Sequence, residues 1–164
     1  MGNKIRDFPF IYRLPTIFFM AGKFFTLDEA NALIPDIEET FDRIFRMNGE
    51  LNAATMDLKD LFDIWGNEIM DNRNLDHFMY IERVKKRDSL MAAIKNEVAQ
   101  MQALGIEIKD LKNGLVDFLY DNEGEIVLLC WRYGEKSVQY WHPVENGFAS
   151  RRRIEELSGM KYIG

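Results

Sequence analysis

The stretch IEETFDRIFRMNGELNAATMDLKDLFDIWGNEI, residues 37–69, decides the fold class of this chain. Its apolar residues recur at alternating steps of four and three, the heptad pattern of a helix that packs lengthwise on a partner helix. At 1.5 Å per residue such a helix is roughly 50 Å long. The seam positions of the pattern are Ile37, Phe41, Ile44, Asn48, Leu51, Thr55, Leu58, Phe62, Trp65 and Ile69, with Asn48 and Thr55 as polar interruptions.

A second heptad segment follows the polar break at 71–74 and runs from about Leu75 to Leu104, where Gly105 is a natural helix stop. The short connection predicts an antiparallel helical hairpin. The apolar surface of this hairpin is too wide for two helices to cover, so we expect a homodimer, or another protein partner, along the seam. The second seam consists of His77, Tyr80, Val84, Arg87, Met91, Ile94, Val98 and Met101.

The residues just before the heptads predict where the helical region begins. Thr26 and Glu29 have the spacing of a capping box, in which each side chain bonds the other residue's backbone N–H. Pro35 lacks a backbone N–H and crowds the preceding turn. We therefore expect a short first helix that ends or kinks at Pro35, before the long one begins.

The chain divides by composition into an extension and one domain. Residues 1–23 are net basic and are interrupted by two prolines, so we interpret them as an N-terminal extension, with Met20 as the natural start. Residues 24–164 are predicted to be a single domain, with the hairpin at 24–104 and a β-subdomain at 105–164.

After Gly105 the apolar period changes from heptad to the alternation of strands. We expect a strand–loop–strand unit joined by residues 122–124, then a further strand that ends at Pro143 and a short final helix at 150–157. The predicted fold is therefore α+β: a long, coiled-coil-like antiparallel helical hairpin, a small antiparallel β-meander and a short C-terminal helix. The predicted strands are 106–111, 115–121, 125–133 and 137–142.

Composition excludes several classes of protein. A chain of 164 residues with 47% hydrophobic residues can bury a core, which excludes wholesale disorder. A net charge of −6 argues against nucleic acid and anionic membranes as partners, and no stretch is long enough to span a bilayer. The single cysteine, Cys130, excludes a disulfide framework, and we expect a cytoplasmic protein.

Several motifs resemble one family. They read FTLDEANALIP at 25–35, GLVDF at 114–118, LCWR at 129–132, GE at 134–135, WH at 141–142 and GF at 147–148, followed by Arg151. Over roughly residues 24–153 this order resembles an uncharacterised prokaryotic family, domain of unknown function 2203. The chain departs from that pattern at Pro143, where an acid is usual, and at Arg152-Arg153, where Gln-Pro is common. The resemblance implies no activity, because the family has none established.

The candidate site lies in the β-subdomain. If the 122–124 loop pairs Asp121 with Glu125, Asp117 and His142 share one sheet face and lie two strands, or about 10 Å, apart. This separation is too long for a hydrogen bond but suits the two sides of a small ligand. Cys130 then lies on the opposite face. The candidate ligand-binding residues are Arg132, Trp141, His142, Glu145 and Arg151, with Arg151–Arg153 as either an anion clamp or a solvated end.

We expect a non-enzymatic binding or scaffold protein that associates through its hairpin and holds a small anion or peptide on the β-subdomain. One alternative is a small enzyme that uses Asp117 and His142 as an acid–base pair. A second is a metal or haem binder through His142, with Cys130 as its other ligand. No metal or cofactor is expected, because His142 and Glu145 supply two ligands and the rest must come from distant residues.

Overall fold

The computed structural model describes residues 22–157, so the predicted start at Met20 lies outside the described residues. Two helices precede five strands, and the α+β class predicted from the sequence is confirmed. The elements are α1 (Leu27–Trp65), α2 (His77–Ala103), β1 (Glu107–Asp110), β2 (Leu115–Asn122), β3 (Glu125–Arg132), β4 (Tyr140–Pro143) and β5 (Arg152–Arg153). Short 3-10 turns lie at Gly66–Met70, Phe148–Ser150 and Ile154–Glu156.

The first helix begins where the capping box predicts. Thr26 Oγ1 accepts from the Glu29 backbone N–H at 3.1 Å, and Glu29 Oε2 accepts from the Thr26 N–H at 2.8 Å. The predicted break at Pro35 is wrong, because α1 runs through it without interruption. Pro35 is exposed, whereas Ile34 and Ile37 on either side of it are buried in the core. Packing of those two side chains against the sheet offsets the hydrogen bond that the proline removes.

Ion pairs between the helices show that the hairpin is antiparallel. Arg43 pairs with Glu97 at 3.0 Å near its base, and further along Glu50 pairs with Lys86 and Asp57 with Arg83. Part of the predicted α1 seam is wrong: Asn48, Thr55 and Phe62 are exposed. At these three positions the buried or half-buried residue is the one just before, so that Met47, Ala54 and Leu61 complete the stripe on α1. Its members are Ile44, Met47, Leu51, Ala54, Leu58, Leu61 and Trp65.

The five strands form one antiparallel sheet in the order β1-β2-β3-β4-β5. The loop joining β2 and β3 is one residue shorter than predicted, so Asn122 rather than Asp121 pairs with Glu125. Glu123 and Gly124 both have positive φ, 56° and 95°, as a two-residue type I′ turn requires. Asp121 Oδ1 accepts from the Gly124 N–H at 2.6 Å and holds that turn. This shift of one residue exchanges the faces of β3 relative to β2.

The core lies between the sheet and the base of the hairpin. The core face carries Val116, Phe118, Val127, Leu129, Trp131 and Trp141, which pack with Ala30, Ile34, Ile37, Phe41 and Ile44 of α1. The same cluster includes Met101 at the end of α2. The sheet therefore covers only the base of the hairpin, and residues 48–90, which we call the distal arm, lie beyond it.

The region after β4 differs from the predicted final helix. Within the described residues it forms strand β5, with Arg152 opposite Trp141, between two 3-10 turns. The Trp141 indole N–H donates to the Arg153 carbonyl at 3.1 Å, which fixes this segment in extended form. Among residues 22–157, no helix has the length and apolarity needed to cross a membrane.

Candidate functional site

Asp117 and His142 meet on the outer face of the sheet, the face turned away from the hairpin. Asp117 is in β2 and His142 is in β4, with β3 between them. His142 Nε2 lies 3.1 Å from Asp117 Oδ2, so the predicted separation of about 10 Å is wrong for the side chains. Strand spacing gives the distance between backbones, whereas both side chains lean across β3. Asp117 is 1% exposed and His142 is 3% exposed.

Hydrogen bonding places a proton between these two side chains. His142 Nδ1 lies 2.9 Å from the Pro143 carbonyl oxygen, which can only accept, so Nδ1 carries a hydrogen. Nε2 then faces Asp117 as a bare lone pair unless a second proton is present. Burial lowers the pKa of His142, but its bonds to Asp117 and the Pro143 carbonyl outweigh burial and raise it overall. The imidazole and the carboxyl group therefore share one proton at this contact.

Cys130 belongs to the same cluster, contrary to the predicted opposite face. It lies directly across from Asp117 on one side and from Tyr140 on the other. A carboxylate oxygen of Asp117, the Cys130 sulfur and a ring nitrogen of His142 all lie within 4.8 Å of one another. Burial, followed by the negative charge of Asp117, raises the pKa of the Cys130 thiol far above its ordinary value. In this state the thiol is protonated and a poor nucleophile.

Asp117 and His142 form part of the lining of a cleft of about 280 Å³. Asp117 Oδ1 is buried and has no hydrogen-bond partner among residues 22–157. Lys109 Nζ lies 4.0 Å from the other oxygen, Oδ2, and 2.6 Å from Glu107 Oε2. A residue that lines the cleft therefore carries an unused acceptor. Its other lining residues are Leu115, Leu128, Val144, Glu145, Asn146, Gly147 and Phe148.

The predicted anion clamp is occupied by a carboxylate of the chain itself. Arg151 makes a two-bond contact with Glu135, at 2.8 and 2.7 Å, and also donates to the Cys130 carbonyl. Its guanidinium lies over Tyr140 and Phe148, 4.2 and 4.6 Å from the ring centres. Arg151 therefore supports the strand that carries Cys130 and the Phe148 wall of the cleft.

The other candidate residues lie in different places relative to the two faces of the sheet. Glu145 lines the cleft with His142. Trp141, a candidate ligand-binding residue by sequence, belongs to the core face. Arg132 is exposed, with its backbone N–H bound to Glu135 and its guanidinium 6.0 Å from the Phe148 ring centre. The structure thus brings Asp117, His142 and Glu145 together, but not Arg132 or Trp141.

Two residues of the site escaped the sequence analysis. Lys109 comes from β1, whose register against β2 no local pattern fixes. Phe148 comes from a 3-10 turn to which the sequence assigns no role in the site. For Phe148 a signal exists, since Gly147-Phe148 is one of the quoted motifs. The other motifs at 114–118, 129–132 and 141–142 also meet here, through Asp117, Cys130 and His142.

Comparison with known proteins gives a family. A family model described as an uncharacterised conserved protein, DUF2203, matches residues 23–154. Neither the curated proteins nor the solved structures contain a match to the chain.

Proposed function

Since the chain belongs to the DUF2203 family of uncharacterised conserved proteins, we propose a function from its site: this is a binding protein whose sheet takes a small ligand at Asp117 and His142. The observation that carries the proposal is the buried Oδ1 of Asp117, which has no partner in the part of the chain that the structure describes and belongs to a residue lining the cleft. An unsatisfied buried acceptor costs the fold about 1–3 kcal/mol, and more when it is charged. A ligand that engages this oxygen recovers that cost.

The size and charge of the cleft limit the ligand. A volume of about 280 Å³ is at the lower limit for ligand pockets, so the ligand has few atoms. Asp117 selects a cation or a hydrogen-bond donor. An anion, which the sequence analysis favoured, has less support because Arg151 is already paired with Glu135.

Native mass spectrometry of freshly purified protein tests this proposal. We expect wild type to carry an added mass that Asp117→Asn lacks. Glu125→Gln, on the exposed start of β3, is the matched control and should keep the added mass. Wild type that appears only as the bare 19.3 kDa chain would contradict the proposal.

The proton held between Asp117 and His142 favours one second candidate, an enzyme that uses this pair for acid–base chemistry. Both groups line a cleft, as such a pair requires. Chemical analysis of the released ligand separates the candidates. If the protein is an enzyme, wild type converts this compound when it is added back in excess, and the His142→Gln variant does not. Recovery of the compound unchanged from wild type excludes the enzyme.

The distal arm supports self-association as part of the proposed function. The partner that we propose for the arm is a second copy, paired as a coiled-coil-like bundle, because the exposed heptad positions Asn48, Thr55 and Phe62 lie in line on α1. Large exposed apolar side chains on the arm and its tip are Met56, Phe62, Ile64, Met70, Leu75, Phe78 and Met79. Patches of this kind mark association surfaces.

Light scattering during gel filtration tests the dimer. At micromolar concentration the mass should be twice 19.3 kDa. Phe78→Glu should shift the protein towards monomer, because Phe78 is 75% exposed and the change adds a charge to the patch. Asn96→Glu, on an exposed position of α2 outside the patch, controls for added charge. A monomeric wild type would exclude self-association.

A cytoplasmic location is also part of the proposal, since a free thiol suits a reducing compartment.

A further inference from the structure

We infer that Asp117, Cys130 and His142 bind a divalent transition-metal ion, and zinc in particular. This inference rests on the proposed function, because it names the ligand class of the same cleft. The three residues come from β2, β3 and β4, and one ligand atom from each lies within 4.8 Å of the other two. Along the sequence His142 has Glu145 as a neighbouring ligand, and the sheet brings Asp117 and Cys130 to it as two further ligands.

The chemistry of the three ligand atoms selects the metal. Sulfur and imidazole nitrogen are preferred by zinc and its neighbours, whereas Mg²⁺ and Ca²⁺ prefer sites made of oxygen alone. A carboxylate and a thiolate carry two negative charges, which together neutralise a divalent ion. That balance suits residues that are 0 to 3% exposed, because an isolated charge there would be costly.

His142 is already oriented as a metal ligand. Its Nδ1–H donates to the Pro143 carbonyl at 2.9 Å, which fixes the ring and directs Nε2 towards Asp117 and Cys130. Histidine ligands in metal sites are usually held in this way, with the second ring nitrogen bonded to a carbonyl or carboxylate. The support therefore comes from the residue next to His142 and needs no acid at position 143.

The spacing of the ligand atoms is close to that of a tetrahedral site. Zinc–ligand bonds of about 2.0–2.3 Å at tetrahedral angles separate neighbouring ligand atoms by about 3.3–3.7 Å. Asp117 Oδ2 and His142 Nε2 are 3.1 Å apart, so they need to separate slightly. The sulfur, within 4.8 Å of both, needs to approach by at most about 1.5 Å. Side-chain rotation alone supplies such movements.

A second and independent observation points to a ligand here. Asp117 Oδ1 is buried and finds no partner within the described residues, although buried polar networks are normally complete. The cleft gives access from the solvent to Asp117 and His142, and it leaves the fourth metal position open to water or a small molecule. Lys109, whose side chain is 39% exposed and bonded to Glu107, can move outwards as the ion enters.

The binding step is balanced by release of protons. The ion replaces the proton between Asp117 and His142, and it also replaces the thiol proton of Cys130. The products are the bound ion and two protons in solvent. The oxidation state of the sulfur does not change.

Cobalt and zinc titrations of chelator-stripped wild-type protein test the inference. Co²⁺ should give one site per chain and a near-ultraviolet sulfur-to-cobalt absorption band. Zn²⁺ should displace Co²⁺ at the same stoichiometry. The sulfur-to-cobalt band should be absent from both Cys130→Ser and Cys130→Ala. Zinc binding should weaken in Asp117→Asn and in His142→Gln, each by more than the roughly 10- to 100-fold that follows loss of a ligand's hydrogen-bonding partner.

The other histidine provides the matched control. His77 lies outside the sheet and bonds the Ile69 carbonyl, so His77→Gln should bind zinc as wild type does. Near-ultraviolet circular dichroism confirms that each variant is folded. The inference is overturned if wild type shows no sulfur-to-cobalt band, if both Cys130 variants keep wild-type affinity, or if His77→Gln loses binding to the same extent.

The result also separates this inference from the proposed function. An added mass that is organic and is lost in Asp117→Asn, with no zinc binding by wild type, leaves the binding function standing and refutes the metal. If neither zinc nor any added mass is found on wild type, both proposals fail.

Discussion

Replacing the buried pair one residue at a time should reveal how strongly Asp117 and His142 depend on each other. The changes are His142→Phe, Asp117→Leu and the double variant, all near in volume to the residues they replace. The side-chain hydrogen bond that Asp117 makes goes to His142, and Lys109 at 4.0 Å is too distant to replace it. The single change at His142 therefore leaves a buried carboxyl group that has lost its imidazole partner.

The structure sets the size of each effect. An unpaired buried charge costs about 3–5 kcal/mol, and His142→Phe should lose that amount at pH 7. Asp117→Leu should lose only about 1–2 kcal/mol, because His142 can become neutral and keep its bond to Pro143. The double variant should be within about 1 kcal/mol of wild type.

Urea unfolding at pH 7, with a chelator present throughout, measures these free energies of unfolding. With a slope of about 2 kcal/mol per molar, His142→Phe should lower the midpoint by about 2 M, and the double variant should recover most of this loss. His77→Phe, at the half-buried other histidine, is the control for loss of an imidazole. If the two single losses simply add in the double variant, the pair is not a coupled buried contact and our account of the site is wrong.

Three further predictions concern the scaffold. Gly114→Ala should lower the free energy of unfolding in urea by several kcal/mol, since Gly114 has φ +66° and the new Cβ would lie 2.5 Å from the Tyr133 Cβ. Gly49→Ala, in an open part of α1, should raise that free energy by about 0.5–1 kcal/mol. Equal effects of the two changes would contradict the geometry. Thr26→Ala should cost about 1 kcal/mol through loss of the cap, and an unchanged urea midpoint would show that the cap contributes nothing. Cys130 should resist a thiol reagent at pH 8 until the protein unfolds, because it is fully buried, so rapid labelling of folded protein would refute that burial.

The helical part of the fold follows from local signals. The capping box at Thr26 and the stop at Gly105, which has φ +90°, need only short-range geometry, and both are confirmed. The break at Pro35 was mispredicted because a local penalty competes with burial of Ile34 and Ile37 on a sheet far away in sequence. Three positions of the predicted α1 seam are wrong by one residue because two apolar stripes lie side by side, and only the packing of α2 selects between them.

Within the site, the residue types could be predicted but their assembly could not. Asp117, His142 and Glu145 were candidates by chemistry, and all three line the cleft. Cys130 was placed on the wrong face because the loop after Asn122 was taken to be one residue too long.

The sequence by itself determined the two long helices, the cap at Thr26, the stop at Gly105, the order of the first four strands and the residues capable of site chemistry, since all of these depend on periodicity and on neighbours a few positions apart. Only the tertiary structure decided which sheet face each strand residue occupies. Alternation of apolar and polar residues normally fixes register, but β2 and β3 are buried on both faces along their middles and carry no such signal. The left-handed backbone at Glu123 and Gly124 fixes the register instead, and it places the carboxylate, the thiol and the imidazole on one side of the sheet.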